Sequence, residues 1–184
     1  PYRLPVVMIR SFTVRCLVPR RPSAPSLPSP SDLALQQPHP RPSTPRRSIA
    51  AFTVPGTADA ISKSIDADLQ AGGATDVTAK YRSGPRVVKQ GQADYLLPTV
   101  VHCGSPENPI AKKEYMFPFV TVVECPEAKM LAAIGPTLVC SAITGNERLR
   151  QQLLDSRDID RLNLGPVPTT QLNWLQPHEG NIVE

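Results

Sequence analysis

Between residues 119 and 164 the sequence alternates strand-like and helix-like periods, and this alternation constrains the fold more than any other feature of the chain. Phe119-Val-Thr-Val-Val-Glu124 is β-branched and nearly continuous in apolar character, as expected of a strand covered on both faces. Pro126 can open a helix at its first position; Met130, Leu131 and Ile134 give that helix its apolar residues, and Gly135-Pro136 stops it. Leu138 to Ile143 reads as a second apolar strand. Thr144 and Glu147 have the S/T-x-x-E spacing of a capping box, opening a helix whose Leu149, Leu153 and Leu154 face inward. Ile159 to Leu164 closes the series. Strand, helix, strand, helix, strand at these lengths is the pattern of right-handed parallel crossovers, so the chain is predicted to be α/β with a parallel sheet.

Upstream, Thr57 stands where an N-cap belongs and Asp59 falls in the first turn. Ile61, Ile65 and Leu69 recur every four residues before Gly72-Gly73. This predicts an amphipathic helix over about 57–71. A short polar strand is expected at 76–80, then a loop through Gly84-Pro85. Tyr95-Leu-Leu-Pro-Thr-Val-Val101 follows as a strand made irregular by its proline.

None of this patterning extends into residues 1–50. That segment holds eleven of the 22 prolines and eight arginines, with no lysine and a single acid, Asp32, so it carries +7 while the rest of the chain carries −3. Proline this dense interrupts helical and ladder hydrogen bonding and leaves the backbone solvated. The expected organisation is therefore a Pro/Arg/Ser-rich disordered tail over 1–50, with residues 18–48 in particular read as disordered, and a folded unit over 51–184. The sequence pI near 9.1 describes only the tail, so nucleic acid is not the partner expected of the folded unit. Three origins for the tail stay open: a basic interaction arm, an organellar transit peptide, or non-native sequence read out of register. The proline spacing opposes the amphipathic helix that a transit peptide needs. The far end, Gln176-Pro-His-Glu-Gly-Asn-Ile-Val-Glu184, reads as stopping within a loop or element, so a truncated domain is expected.

No apolar run approaches the roughly 20 residues of a membrane span, and no secretory signal pattern is evident, which makes the cytoplasm the default compartment and excludes a membrane partner. Cys16, Cys103, Cys125 and Cys140 lie far apart without a C-x-x-C pair, so buried reduced thiols are expected rather than zinc or disulfides. The chain has no G-x-G-x-x-G, Walker loop, H-E-x-x-H or G-x-S-x-G motif. His39, His102 and His178 are scattered with no acid or cysteine at ligand spacing. His102 and Cys103 adjoin at the end of a strand, where neighbours point to opposite faces, which opposes a joint role. A small α/β enzyme using one of the two is a third reading.

One ordered set of motifs is more informative. Leu97-Pro-Thr-Val-Val101, eight residues, Pro109-Ile-Ala-Lys-Lys-Glu114, then Met116-Phe-Pro118 and the β-branched strand resembles the aldehyde dehydrogenase family's P-T-V, spacer, I-A-x-E-E-x-F-G-P, strand. The helix ending in Ala71-Gly-Gly73 lies where that family has its E-G-A-x-x-x-x-G-G turn. Leu162-Asn-Leu164 resembles the strand V-x-V-N, and the resemblance covers roughly residues 53–176. It implies a C-terminal portion of a parallel-sheet catalytic domain. It also implies that Glu114 accepts hydrogen bonds from the nicotinamide ribose hydroxyls, a task suited to an acceptor-only carboxylate. Met116 takes the place of the phenylalanine beside the nicotinamide ring, and Phe117 replaces the motif's glycine. In place of P-F-G-G the chain has Gln176-Pro-His-Glu-Gly-Asn181.

The resemblance further implies NAD or NADP as cofactor, an aldehyde substrate, homo-oligomers, and oxidation to a carboxylic acid through a cysteine nucleophile. The nucleotide-binding fold and the general-base glutamate have no counterpart here. Cys16 stands at the nucleophile's approximate spacing from Glu114 but in Thr-Val-Arg-Cys-Leu-Val-Pro, without the family's G-Q-x-C context, so no catalytic residue is assigned. The expectation is a fragment that is inactive alone and binds no cofactor tightly. The alternative is a non-catalytic α/β interaction module with a basic arm.

Overall fold

The computed structural model describes residues 49–168 and Leu175 in full, and Met8–Ile9 and Thr13–Pro19 by their backbone. The expected disordered tail therefore lies outside the described residues, apart from these two stretches and residues 49–50. The two stretches are strands, β1 (Met8–Ile9) and β2 (Thr13–Pro19). The β-branched and apolar Thr-Val-Arg-Cys-Leu-Val of β2 lies ahead of most of the tail's prolines, which leaves it able to form a ladder, although its last two residues fall within 18–48, where disorder was expected.

The rest of the order is β3 (Ala51–Phe52), α1 (Thr57–Gln70), β4 (Ala74–Asp76), a 3-10 turn (Val77–Tyr81), β5 (Val87–Gln90), β6 (Ala93–Leu96), β7 (Thr99–Cys103), a 3-10 turn (Pro109–Lys112) and β8 (Phe119–Cys125). A 3-10 turn (Glu127–Lys129) then runs into α2 (Met130–Ile134), followed by β9 (Thr137–Ala142), α3 (Glu147–Leu154) and β10 (Ile159–Leu164).

The chain is a mixed α/β structure built on small sheets. β8 is the centre of the largest, whose order is β1-β2-β8-β7-β4. It pairs parallel with β7, from Thr99↔Phe119 to Cys103↔Val123, and parallel with β2, from Thr13↔Phe119 to Pro19↔Cys125. β9 and β10 form a separate parallel pair, and β3-β6-β5 a small antiparallel sheet. Parallel pairing is thus present as expected, but β8 and β9 are not neighbours. β2 and β7 occupy both edges of β8, and the strand nearest β9 besides β10 is β1.

The period of two in β8 sorts its side chains. Phe119, Thr121, Val123 and Cys125 are buried, while Val120, Val122 and Glu124 on the other face are half-buried. The buried face continues through Val101 and Cys103 of β7 into one core that includes Ile65 of α1, Ile110, Met130 and Leu153. Each large aliphatic or aromatic side chain taken out of water there contributes about 1.5–3 kcal/mol.

Several local expectations are corrected. Thr57 is the first helical residue of α1, and its cap is Gly56 in the left-handed region without a side-chain bond. The polar strand expected at 76–80 is β4 followed by a 3-10 turn. Asp76 accepts from the backbone N–H of Thr78 and Ala79, which turns the chain out of the ladder. Pro98 splits the strand read across 95–101 into β6 and β7. Val87–Gln90, for which no strand was expected, is the first arm of a hairpin turned at Gly91, whose φ is 63°. The second crossover helix is capped by Asn146, whose side chain accepts from Arg148 N and Leu149 N, and Thr144 Oγ1 accepts from Asn146 N instead of closing a box with Glu147. Leu149 and Leu153 face inward, whereas Leu154 is exposed.

Candidate functional site

The residues singled out by sequence lie on the loop 113–118, which joins the 3-10 turn at Pro109–Lys112 to β8. Asn108 starts that turn by accepting from Ile110 N, and Ile110 and Ala111 anchor it in the core. The same asparagine donates 2.8 Å to the Gly72 carbonyl, in the turn that ends α1. Gly72 and Gly73 there have φ of 88° and 75°, and a Cβ on Gly73 would stand 3.2 Å from the Asn108 amide. Backbone conformation therefore favours glycine at both positions, and at Gly73 the close approach of Asn108 adds to it.

Beyond the turn the backbone is extended at Lys113, with φ −83° and ψ 144°. Successive side chains of an extended chain point to opposite sides. Lys113 and Tyr115 are half-buried against α1, and Glu114 between them is exposed. The Lys113 ammonium lies 3.0 Å from Asp68 Oδ1 and 2.7 Å from Oδ2, and donates 3.2 Å to Ser64 Oγ. The Tyr115 hydroxyl is 3.3 Å from the same Ser64 Oγ. The hydrogen bond to Asp68 is the main reason that the Lys113 pKa is raised above its ordinary value, so the ammonium is fixed as a cation.

Glu114 lines a cleft of about 440 Å3 with Pro136, Thr137, Leu138, Arg157, Asp158 and Asp160. These residues sit at the N-terminal ends of β9 and β10, so the carboxylate faces the edge where the parallel strands begin. Met116 is 76% exposed and is not among the described residues of that cleft. Phe117, which takes the glycine position of the resembling motif, is buried. Its ring centroid lies 6.0 Å from that of Tyr115 and 5.7 Å from that of Phe119. Its bulk is accommodated in the core and does not crowd the exposed side of the loop. The structure thus leaves Glu114 and Met116 on the accessible side of one loop, with alternate residues holding it down.

The other candidates separate. His102 and Cys103 point to opposite faces of β7: Cys103 is fully buried, and burial pushes its thiol up to about 11. Cys140 is buried in β9 and pushed up to about 12 by the same cause, while Cys125 is buried at the end of β8. Thiols so placed are poor nucleophiles. The backbone of Cys16 pairs with Val122 in the central sheet. His102, for which sequence spacing offered no acid, has Glu124 at 3.1 Å from Nε2. The parallel register places His102 opposite Val122, so Glu124 is its diagonal neighbour; this pairing could not be read before the register was known. His39 and His178 lie outside the described residues.

Sequence reading also missed an ionic cluster beneath β7. Asp76, 7% exposed, bonds Arg82 and lies 3.0 Å from Arg86 Nη2, and Arg86, 5% exposed, also reaches Asp66 Oδ1 at 3.1 Å and Ser62 Oγ at 2.9 Å. Burial acts to raise the Asp76 pKa, but hydrogen bonds from Thr78, Arg82 and Arg86 outweigh it and hold the carboxyl below its usual range. In β9 and β10, Asn163 donates to Ser141 Oγ at 3.1 Å, and Ser141 donates to the Val167 carbonyl at 2.7 Å. The asparagine of the strand-end motif thus braces the loop that follows. Among the described residues there is no group of three or more metal-ligating side chains, and no helix long and apolar enough to cross a membrane.

No protein-family model matches this chain, and no curated protein matches it.

Proposed function

We propose that this chain carries part of the catalytic domain of an NAD(P)-dependent aldehyde dehydrogenase acting in the cytoplasm, with Glu114 as the acceptor for the nicotinamide ribose hydroxyls. The observation that carries the reading is the placement of Glu114. It is an exposed carboxylate on a short loop that runs directly into a central parallel strand, at the rim of a cleft.

The residues present suit the cofactor. A carboxylate offers two acceptor oxygens to a vicinal diol, and Met116 offers an exposed, polarisable thioether one residue beyond the anchored Tyr115, able to lie against an aromatic ring. Phe117 does not obstruct this side, because its ring is in the core. Three buried free thiols agree with a reducing compartment. When bound, the nicotinamide supplies the two-electron acceptor for aldehyde oxidation. Glu114 would hold its ribose, and Met116 would be available to contact the ring. The sequence offers no counterpart of the family's nucleotide-binding fold, general-base glutamate or G-Q-x-C turn, and this supports a chain that is inactive by itself.

The reading is tested by saturation-transfer NMR with millimolar NADH. Transfer to the nicotinamide ribose protons is expected with the unaltered chain and is lost in Glu114→Gln. Equal transfer in both proteins overturns the ribose assignment. Turnover of aldehydes with NAD or NADP by the purified chain refutes its inactivity.

A further inference from the structure

The loop that carries Glu114 is held from both of its flanks by one turn of α1. Ser64 and Asp68 stand four residues apart and so share a helix face. Asp68, its side chain 13% exposed, accepts a hydrogen bond from the Lys113 ammonium at Oδ1 and pairs with it ionically at Oδ2. Ser64 accepts from the same ammonium and shares a hydrogen bond with the Tyr115 hydroxyl. Residues 113 and 115 are thus pinned to a common point. In an extended chain that leaves the side chain between them only one direction, away from the helix. Tyr115 is fixed a second time by its edge-to-face contact with Phe119, centroids 4.9 Å apart at 81°.

We propose that Ser64 and Asp68 are positioning residues for Glu114: by gripping Lys113 and Tyr115 on either side of it, they set the direction in which its carboxylate is presented to a ribose diol. The inference rests on the ribose reading above and adds to it a device that involves neither ligand nor reacting atoms. Side chains that bind rigidly presented partners gain from being locked by their supporting shell, and a carboxylate on an unpinned loop would spend most of its time misdirected. The ammonium at position 113 is central to the device. Lysine supplies a charge that reaches both Ser64 and Asp68, and arginine is the one substitution that keeps that charge.

The test uses the full chain, nicotinamide mononucleotide as probe, and trypsin. Ser64→Ala and Asp68→Asn are expected to weaken mononucleotide binding by about fivefold each, the loss typical of one hydrogen bond of ordinary net strength. Lys113→Ala should do the same, and Lys113→Arg should restore binding. Independently of any ligand, tryptic cleavage after residue 113 should accelerate in Ser64→Ala and Asp68→Asn while the far-UV spectrum is unchanged. Ser64→Ala removes only a hydroxyl, so it keeps the test valid if Asp68→Asn does not fold. Wild-type binding and wild-type cleavage in both variants, with binding lost in Glu114→Gln, overturn the clamp and leave the ribose reading standing. Binding unchanged in Glu114→Gln, or absent from the unaltered chain, overturns the ribose reading and this inference with it.

Discussion

Replacing Asp76 by asparagine should destabilise the fold severely. The substitution preserves shape and leaves an oxygen to cap the turn at Thr78 and Ala79, but removes the charge that two guanidinium groups share. Arg86 and Arg82 are only 5% and 12% exposed, so neither can recover its hydration without opening the structure. Breaking a buried pair by removing one partner costs about 3–5 kcal/mol. Arg86 retains Asp66 and Ser62, and Arg82 retains Thr78 and Thr99, which places the expected loss near the lower end, about 3 kcal/mol. With a urea m-value of about 2 kcal/mol/M, that corresponds to a midpoint lower by about 1.5 M in a far-UV denaturation series. The pH dependence has a definite sign. Asp76 is depressed below its ordinary 3.8 in the folded state, so its contribution is complete above the unfolded value and is lost as pH falls through the folded one. The gap between wild type and Asp76→Asn should therefore be constant from neutral pH down to about 5 and shrink below about 4. A midpoint shift under about 0.3 M, or a gap that widens with acid, would refute the reasoning.

Two further outcomes follow from burial. Phe117→Gly restores the residue of the resembling motif yet should cost about 3–5 kcal/mol by thermal or urea unfolding, because this ring fills core space between Tyr115 and Phe119. Stability within 1 kcal/mol of wild type, roughly the scale of a surface change, would mean that the ring is not packed as described. In thiol-titration kinetics with a disulfide reagent at pH 8, Cys103 and Cys140 should react only on unfolding. With pKa values of about 11 and about 12, no more than roughly one molecule in a thousand carries the thiolate at either position. Prompt reaction of either in the native chain contradicts their placement.

What the sequence disclosed and what it concealed divide along a physical line. The strands at 119–125, 137–142 and 159–164 and the helix from Thr57 were legible because their periods are written in adjacent residues. The cap of α3 was misread because oxygen-bearing side chains compete for the same N–H groups. Thr144 and Asn146 both lie within reach of the start of α3, and the asparagine, one residue before the helix, wins. The hairpin at Val87–Leu96 was missed because neither arm alternates cleanly, and its turn rests on a single glycine. Strand order was not legible at all. That β2 would lie against β8, pushing β9 into a separate pair, depends on which edges meet in space, and no local pattern encodes it.

The same division explains the candidate site. Glu114 and Met116 could be chosen from the order of motifs along the chain, but what directs them could not, since Ser64 and Asp68 lie some fifty residues upstream in a helix that reads as merely amphipathic. Their residue types gave one hint. An amphipathic helix of this length needs no acid at the margin of its buried stripe, and Asp68 is next to Leu69, which packs on the core. A half-buried acid there requires a cation from elsewhere, and Lys113 is the one that meets it, from the position immediately before the carboxylate of interest. The lysine stands where the resembling motif has the first of two glutamates. In this chain the departure from the motif, more than the agreement with it, accounts for the way Glu114 is held.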